Sequence, residues 1–591
     1  MKYKSKIHAN VITHTMKILF LIILGHLFVP WGLGQTAMDT QVPLDQPKKT
    51  QPRDKAVFDM FLETAKSGDP EAQTTVGSSY YWGNIGVEQD YKKAFYWFSK
   101  AAESGTAESL HNLAVLYAKG QGVPQDLDKA MKLYTRAAEQ GNVPAQLGVG
   151  LCYETKKDWE KAYQWYAKAA KNGNAAAQCF LGNLYEKGLG VVRNMDKALE
   201  LYTKSAEQGY LEGLNRLALC YQDGKGIERN IEEATRLLKL AAEKGSPSAQ
   251  YNLARYFENG IGTKIDLKKA LYWYTKSADQ GYGMAQFNLG SFYMTGREIP
   301  QDKSKGMELW EKAADQGIVF AEYLLGNLYY KGEDVPMDKK KAIELVLKAA
   351  EGGYEVAQYD IGVLYQEGNG VPQDYTKARE WYQKAAEKNY AKSQHNLGNL
   401  YLNGLGVSRD QKKAFEWFSK AAEQGVPQAQ YIVGLFYKEG TDFLPKAPKK
   451  AFEWISKAAD QGLPQAQNDI GIFYTAGLVV PQDHIKASEW YRKSAEQGND
   501  QAQYNLGCNY WNGKGVPKNL EKAKFWFEKS ANQNNSNAQC TLGGFYIFGI
   551  GVKKDVEKGK LLLEKSAAQG NENAKEGLKS LKNKPTEKPA S

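Results

Sequence analysis

The chain has 591 residues, of which 42% are hydrophobic and 24% are charged, and its formal net charge is +10. This composition is typical of a folded protein. Basic residues recur singly beside acidic ones and form no basic stripe, so the charge pattern argues against nucleic acid as a partner.

The first 34 residues have the layout of a secretory signal peptide. Four lysines precede an apolar run from Ile18 to Val29, and Gly32 and Gly34 follow it. The run is shorter than the roughly 20 residues that span a membrane. We therefore predict a signal peptide over residues 1–34 and export to a periplasm or out of the cell. An uncleaved signal anchor that tethers the protein to a membrane is the alternative, and no other segment is apolar enough to cross a bilayer.

A short segment separates this leader from the folded part of the chain. Residues 35–54 are polar and contain three prolines, which predicts a flexible linker. Residues 55–68 are predicted to form an unpaired helix that caps the apolar amino-terminal end of the folded part.

Residues 69–570 consist of about fourteen copies of one unit of about 36 residues, and each copy has the pattern of a helix pair. The second helix of thirteen copies is preceded by Asp or Asn, whose side chain suits the N-cap position. Ala447, followed by Pro448, replaces that cap in the eleventh copy. Each copy ends in Gly or Asn, the residues that best tolerate the left-handed conformation at a helix end. The last segment, 571–591, is predicted to be a capping helix and a disordered tail.

Small residues recur where the two helices of a copy would face each other. Gly or Ala stands three residues before the aromatic residue of each first helix, as at Gly77 before Tyr80. Ala or Gly also stands four residues after each second-helix cap, as at Ala270. Such residues allow two helices to approach closely, and large side chains, including Trp273 and its equivalents, are predicted to fill the seam. A lysine in the first turn of nearly every second helix, such as Lys93, opposes the helix dipole and has no explanation at this level.

These residues resemble the Sel1-like repeat, a relative of the tetratricopeptide repeat. The match follows the pattern A-x-x-x-L-G-x-x-Y-x-x-G-x-G-V-x-x-D-x-x-K-A-x-x-W-Y-x-K-A-A-E-x-G through all copies. The resemblance implies an all-α fold, an α/α solenoid that winds as a right-handed superhelix with first helices on the concave side. It also implies adaptor or scaffold work in assembling protein complexes, often in bacterial envelopes or during host contact.

The positions that vary between copies predict a partner-binding groove. Counted from the Ala that opens the pattern, positions three, four and seven of the first helix change freely, and helical spacing puts three and seven on one face. An aromatic row at position three suits partner recognition, although packing against the adjoining repeat is the alternative. The candidate residues are His111, Arg216, Tyr251, Asn252, Arg255, Phe287, Asn288, Tyr323, Tyr359, Asp360, His395, Asn396, Asn399, Tyr431 and Tyr504.

The sequence offers little for catalysis. Beyond the leader the only histidines are His111, His395 and His484, and helix spacing keeps each away from any cysteine. The chain has no H-E-x-x-H motif, no phosphate-binding Gly loop and no Ser-x-x-Lys motif. We therefore predict no enzyme activity, no cofactor and no metal. The five cysteines are odd in number and form no CxxC motif, which argues against a disulfide scaffold and leaves one or two bridges between neighbouring repeats open.

The sequence thus predicts an exported scaffold whose groove binds a protein or peptide. The alternative is a binder of peptidoglycan or another cell-wall glycan, or a modulator of cell-wall enzymes. A weak β-lactam hydrolase is a third hypothesis, because some cysteine-rich relatives of this repeat are linked to such activity. The paired cysteines of those relatives are absent here.

Overall fold

The computed structural model describes residues 52–582, which form thirty α-helices and, within that range, no β-strand beyond one isolated bridge between Thr441 and Leu444. The predicted all-α solenoid of helix pairs is confirmed. The chain divides into two compact units at Leu325/Gly326. The predicted signal peptide, most of the predicted linker and the predicted tail from residue 583 lie outside the described residues.

The first helix, α1, runs from Pro52 to Lys66 and begins before the predicted start at residue 55. Fourteen helix pairs follow it. The pairs up to the unit boundary are α2/α3 (Pro70–Trp82, Tyr91–Ala102), α4/α5 (Ala107–Lys119, Leu127–Glu139), α6/α7 (Val143–Thr155, Trp159–Lys171), α8/α9 (Ala175–Lys187, Met195–Glu207), α10/α11 (Leu211–Asp223, Ile231–Glu243), α12/α13 (Pro247–Asn259, Leu267–Asp279) and α14/α15 (Gly283–Thr295, Lys303–Asp315).

The boundary falls within α16, which starts the eighth pair. The remaining pairs are α16/α17 (Val319–Lys331, Lys339–Glu351), α18/α19 (Glu355–Glu367, Tyr375–Glu387), α20/α21 (Ala391–Asn403, Gln411–Glu423), α22/α23 (Pro427–Glu439, Pro448–Asp460), α24/α25 (Pro464–Ala476, His484–Glu496), α26/α27 (Asp500–Asn512, Leu520–Asn532) and α28/α29 (Ser536–Phe548, Val556–Ala568). Helix α30 runs from Glu572 to Lys582.

The predicted N-caps are present in all thirteen second helices that carry Asp or Asn. In each, the side-chain oxygen accepts a hydrogen bond from the amide of the third residue after it, over 2.8–3.2 Å. Helix α23 lacks this bond because Ala447 stands at its cap, although its backbone angles match those of the other caps. The caps fix where each second helix starts.

Replacing Ala447 with Asp is expected to raise the stability of the eleventh copy by about 0.5–2 kcal/mol, because the carboxylate gains the missing cap bond. Urea unfolding followed by circular dichroism measures the effect. The reverse change, Asp410→Ala at the cap of α21, is the matched comparison and should lower stability by a similar amount. Equal midpoints for the two variants would contradict the capping role.

The first-turn lysines have a structural partner that the sequence did not show. In thirteen copies the lysine Nζ lies 4.0–5.5 Å from the ring centre of the aromatic residue at the ninth pattern position of the paired first helix, as Lys341 does over Tyr329 and Lys413 over Tyr401. Several also approach the capping carboxylate, as Lys161 does to Asp158 at 2.9 Å. Cation–π and ion-pair contacts therefore offset the unfavourable dipole.

The small residues face large rings, as predicted, but the ring is not always the one expected. A Cβ added at Gly77 would lie 2.6 Å from the ring of Phe98, and one at Gly362 would lie 2.5 Å from that of Tyr382. The residue that fills the seam is the one after the predicted tryptophan. Tyr274 is fully buried whereas Trp273 is half-buried.

Glutamine side chains join successive helices into a ladder. The second residue of the first-helix pattern donates to a carbonyl of the preceding second helix, as Gln250 does to Ala242 at 3.0 Å. Its own carbonyl accepts from the glutamine that ends the paired second helix, as from Gln280 at 2.8 Å. Eight copies repeat this second bond at 2.7–2.9 Å. The ladder satisfies buried amides and, in the copies that carry it, fixes the helix pair against the preceding one.

Candidate partner-binding groove

The first helices form the surface on which the candidate residues lie. In the unit that ends at Leu325, neighbouring first helices contact each other directly, α8 with α10 and α10 with α12. Their fourth and seventh positions are mostly half-buried, and the eleventh is half-buried or exposed. We call the side chains at positions four, seven and eleven of the first helices the groove face.

The aromatic row at position three is not on this exposed face in the first unit. Tyr251, Phe287 and Tyr323 are 8%, 4% and 7% exposed. The expectation that these rings are open to a partner is therefore not met, and the alternative of packing against the adjoining repeat describes their position.

Ring contacts explain this burial. The Tyr251 ring lies 5.9 Å from Tyr274 in its own second helix and 5.4 Å from Tyr282 at the start of the next repeat. Phe287 similarly lies 6.1 Å from Trp310 and 6.0 Å from Phe320. Position three thus joins the paired second helix to the following repeat.

The other candidate residues at position three, Tyr359, His395, Tyr431 and Tyr504 of the second unit and His111 of the first, are half-buried and also pack towards the paired second helix. Tyr359 lies 5.9 Å from Tyr382 and 5.5 Å from Tyr390. His111 lies 5.6 Å from Tyr134, His395 lies 5.4 Å from Phe418, and Tyr504 lies 5.8 Å from Phe527. Tyr431 packs against the hydrophobic cluster that includes Ile455 of α23.

Position four carries polar side chains that hydrogen bonds hold in place. Arg216 Nε donates to Glu212 at 2.9 Å, and the other oxygen of Glu212 accepts from Ser248 of the next repeat at 2.6 Å. Asn252 donates to Asn215 across the same junction at 2.8 Å. This network links α10 to α12 and makes the groove face rigid at this point.

Position ten adds carboxylates that the sequence reasoning missed. The buried Tyr202 and Tyr274 hydroxyls donate to Glu186 and Glu258, at 2.8 and 2.7 Å. Glu258 also accepts from Arg297 of the next repeat at 3.0 Å. The recurrence of Glu ten residues along the pattern could have indicated them, but only the burial of the tyrosine shows why they are fixed.

The groove face of the second unit also carries polar side chains. Asn399 lies 3.1 Å from His395 Nε2, and Asn396 interacts with the hydroxyls of Tyr359 and Tyr382. Asp360 is half-buried beside them. Asn288 has the matching place near Tyr274 in the first unit, and Arg255 lies 5.9 Å over the Tyr251 ring. The predicted residues of positions four and seven therefore do lie together on one surface within each unit.

The burial of His111 and His395 makes the stability of the fold depend on pH. Burial lowers the pKa of His111 and of His395 to about 4, and the Nδ1 atom of each has no hydrogen-bond partner within the described part of the chain. The unfolded pKa is about 6.5, so the unfolded chain binds protons first as the pH falls. The free energy of unfolding that the neutral histidines contribute is fully present above pH 6.5. It decreases as the pH falls towards 4, by up to about 3 kcal/mol per histidine.

Replacing both histidines with Phe is expected to flatten the loss of stability between pH 7 and pH 5. Phe287 occupies the same position in another copy, so the ring fits. Urea midpoints at several pH values measure the effect, with Tyr359→Phe as the matched control that keeps the slope. An unchanged slope in the double variant would show that other groups cause the dependence.

The described residues offer no group of three metal-ligating side chains, and none of their helices combines the length and apolarity that a membrane span requires. All five cysteines are free thiols. Burial raises the pKa of Cys152 to about 11 and that of Cys220 to about 12. Raised values oppose nucleophilic reactivity.

Comparison with known proteins matches this geometry to one repeat family. The Sel1 repeat model matches fourteen consecutive segments between residues 70 and 571. A protective antigen of uropathogenic Escherichia coli strains that displays an SLR fold is 33% identical, over 72% of this chain and 91% of that one, with a TM-score of 0.58. A Sel1 repeat protein from Oxalobacter formigenes is 35% identical over 42% of this chain and 96% of that one, with a TM-score of 0.37.

A curated relative matches a shorter stretch. It is the ERAD-associated E3 ubiquitin-protein ligase component HRD3A of Arabidopsis thaliana, 32% identical over 73 residues. That match covers 12% of this chain, and the chain spans only 11% of the relative's length. Sel1 repeats are linked to protein–protein interaction. With fourteen matched copies over most of its length, the chain belongs to the Sel1 repeat family.

Proposed function

We propose that this protein is an exported, non-catalytic scaffold that binds a protein partner along the groove face of its first helices. The partner segment is an extended peptide or a helix, since both fit a surface made of parallel helix ridges. The Sel1 repeats and the absence of catalytic motifs from the sequence support this proposal.

The observation that carries the proposal is a fixed polar surface on an apolar scaffold. Arg216, Glu212 and Asn252 are held by hydrogen bonds between repeats before any partner arrives. In the second unit, Lys438 binds Asp469 at 2.9 Å across two repeats in the same way. A surface whose side chains are already ordered loses less entropy on binding.

Export is supported by the leader and by one similar protein. Residues 1–34 have the layout of a signal peptide. The similar E. coli protein is a protective antigen, which is consistent with a place where the immune system encounters it.

Groove-face substitutions test the proposal. Arg255→Glu reverses a charge in the first unit, and Asn399→Arg adds bulk in the second; neither residue is fully buried. Purified wild type and variants are used to capture proteins from envelope or host extracts. The variants should bind the partners that the wild type retains at least about tenfold more weakly, which corresponds to about 1.4 kcal/mol of binding free energy, or should not capture them at all.

Glu380→Arg is the control, because Glu380 is exposed on the second helix α19. It should capture the same partners as the wild type, and all variants should keep their circular dichroism spectrum. Capture that is unchanged by both groove variants would contradict binding along this face. Retention of the protein by purified cell wall, with no protein partner captured, would favour the cell-wall hypothesis instead.

A further inference from the structure

Helix α1 is the second helix of an incomplete repeat. Gln73 of α2 donates to the Ala65 carbonyl at 3.1 Å, as Gln250 does to Ala242 at 3.0 Å. The Phe58 ring meets Tyr80 at 5.3 Å edge-on, as Phe95 meets Tyr117 at 5.5 Å. Two independent contacts therefore place α1 in the register of a second helix, although its paired first helix is not among the described residues.

This register shows which side of α1 a first helix would cover. Val57 takes the place of the small residue four after the cap, such as Ala94 or Ala130, which is completely buried. Val57 is 44% exposed and the adjacent Met60 is 61% exposed. Phe61 takes the place of the seam ring and is only half-buried. The side of α1 that faces away from α2 is thus apolar, and no other described helix covers it.

The other end of the array is different. Helix α30 has the register of a first helix, since Ala574 is fully buried and its amide bonds to Asn571 at 3.1 Å. The position that is Gly or Ala in all fourteen complete copies is Lys579 here, and it is exposed. A second helix could not approach over a lysine, so α30 ends the stack. Within residues 52–582, the amino-terminal end is therefore the one that is left open to another helix.

We propose that the open face of α1 binds a helix from a partner protein, and that this helix completes the missing repeat. The fourteen internal pairs define the chemistry of this helix, because they all repeat the same interface. The partner helix should be amphipathic, with Leu followed by a small residue and then by an aromatic residue three positions later. A second copy of this chain fits less well. At its ends a second copy offers either α1, which has the register of a second helix, or α30, which has Lys579 where the small residue is required.

Val57 sets a further requirement on the partner helix. The small residue of a second helix faces the tenth pattern position of its first helix, since a Cβ added at Gly306 would lie 2.7 Å from Met294. Val57 is larger than Ala or Gly, so the partner needs a small side chain at that position. Helix α4 meets both conditions, with Ala114 at the sixth and Ala118 at the tenth position.

A peptide of the α4 sequence, Ala107–Lys119, is therefore a suitable probe. Fluorescence anisotropy of the labelled peptide, titrated with the full chain, should show saturable binding. Val57→Glu with Met60→Glu should weaken it at least about tenfold, and so should Ala114→Leu in the peptide, since the larger side chain would overpack the contact with α1. The two protein residues are exposed, so these substitutions should leave the fold intact. Circular dichroism checks this.

Arg255→Glu on the groove face is the matched control and should leave peptide affinity unchanged. Absence of saturable binding, or binding that is insensitive to Val57→Glu, would overturn the proposal. Sedimentation that showed a wild-type dimer and a monomeric Val57→Glu variant would overturn it as well, because a second copy would then occupy the face. A result here does not decide the groove-face proposal, which concerns different residues.

Discussion

Replacing Gly362 with Ala is expected to destabilise the protein by about 1–3 kcal/mol, although Ala favours helices. The added Cβ would lie 2.5 and 2.6 Å from two ring atoms of Tyr382, which is completely buried and cannot move aside. Overpacking a filled core costs this much. The change should lower the urea midpoint of unfolding, followed by circular dichroism.

Gly544→Ala is the matched control for this substitution. Gly544 also lies inside a first helix, α28, but an added Cβ would meet no atom within 4 Å. Ala should stabilise that helix by about 0.5–1 kcal/mol because it restricts the unfolded chain. The same substitution thus has opposite signs at two positions. Destabilisation of similar size at both would show that close helix approach is not what requires glycine at position 362.

Replacing Phe287 with Ala is expected to cost about 3–5 kcal/mol, the usual range for a buried Phe. The ring is 4% exposed and contacts Trp310 and Phe320. The measurement is again the unfolding midpoint rather than a fitted free energy of unfolding, because repeat arrays do not always unfold in two states. Phe287→Tyr should be nearly neutral, since Tyr251 and Tyr323 occupy the same position in the neighbouring copies.

This expectation replaces the one based on the sequence alone. From the sequence, Tyr323→Ala and Tyr359→Ala should weaken partner binding with helical content intact. Because Tyr323 is 7% exposed, its loss should destabilise the fold first. Phe287→Ala that left the midpoint unchanged but abolished partner capture would restore the original interpretation.

The repeat, the caps and the helix ends could be predicted because they depend on local chemistry. Asp90 before a helix, or Gly105 after one, acts through its own backbone neighbours. The close approach at Gly77 could also be predicted, because a small residue has the same meaning in any copy. Such features require no knowledge of which helix lies beside which.

The exposed face of the first helix could not be predicted in the same way. A helical wheel separates Tyr251 from the buried Leu253, and so suggested exposure. In the structure the paired second helix and the next repeat cover the first helix from two directions, and Tyr251 lies between them. The error at Trp273 has the same origin, because the seam ring is chosen by the neighbouring helix. The glutamine ladder, as at Gln250, likewise depends on contacts between repeats.

Site-specific photocrosslinking tests most directly whether the fold presents its first helices to a partner. A photoreactive amino acid is placed at Asn399 on the groove face of α20, and at Glu380 on the exposed side of α19, and each full chain is irradiated in its native cells. Partner binding along the groove face should give a discrete crosslinked protein from position 399 and none from position 380. Equal crosslinking from both positions, or crosslinking from 380 alone, would contradict it.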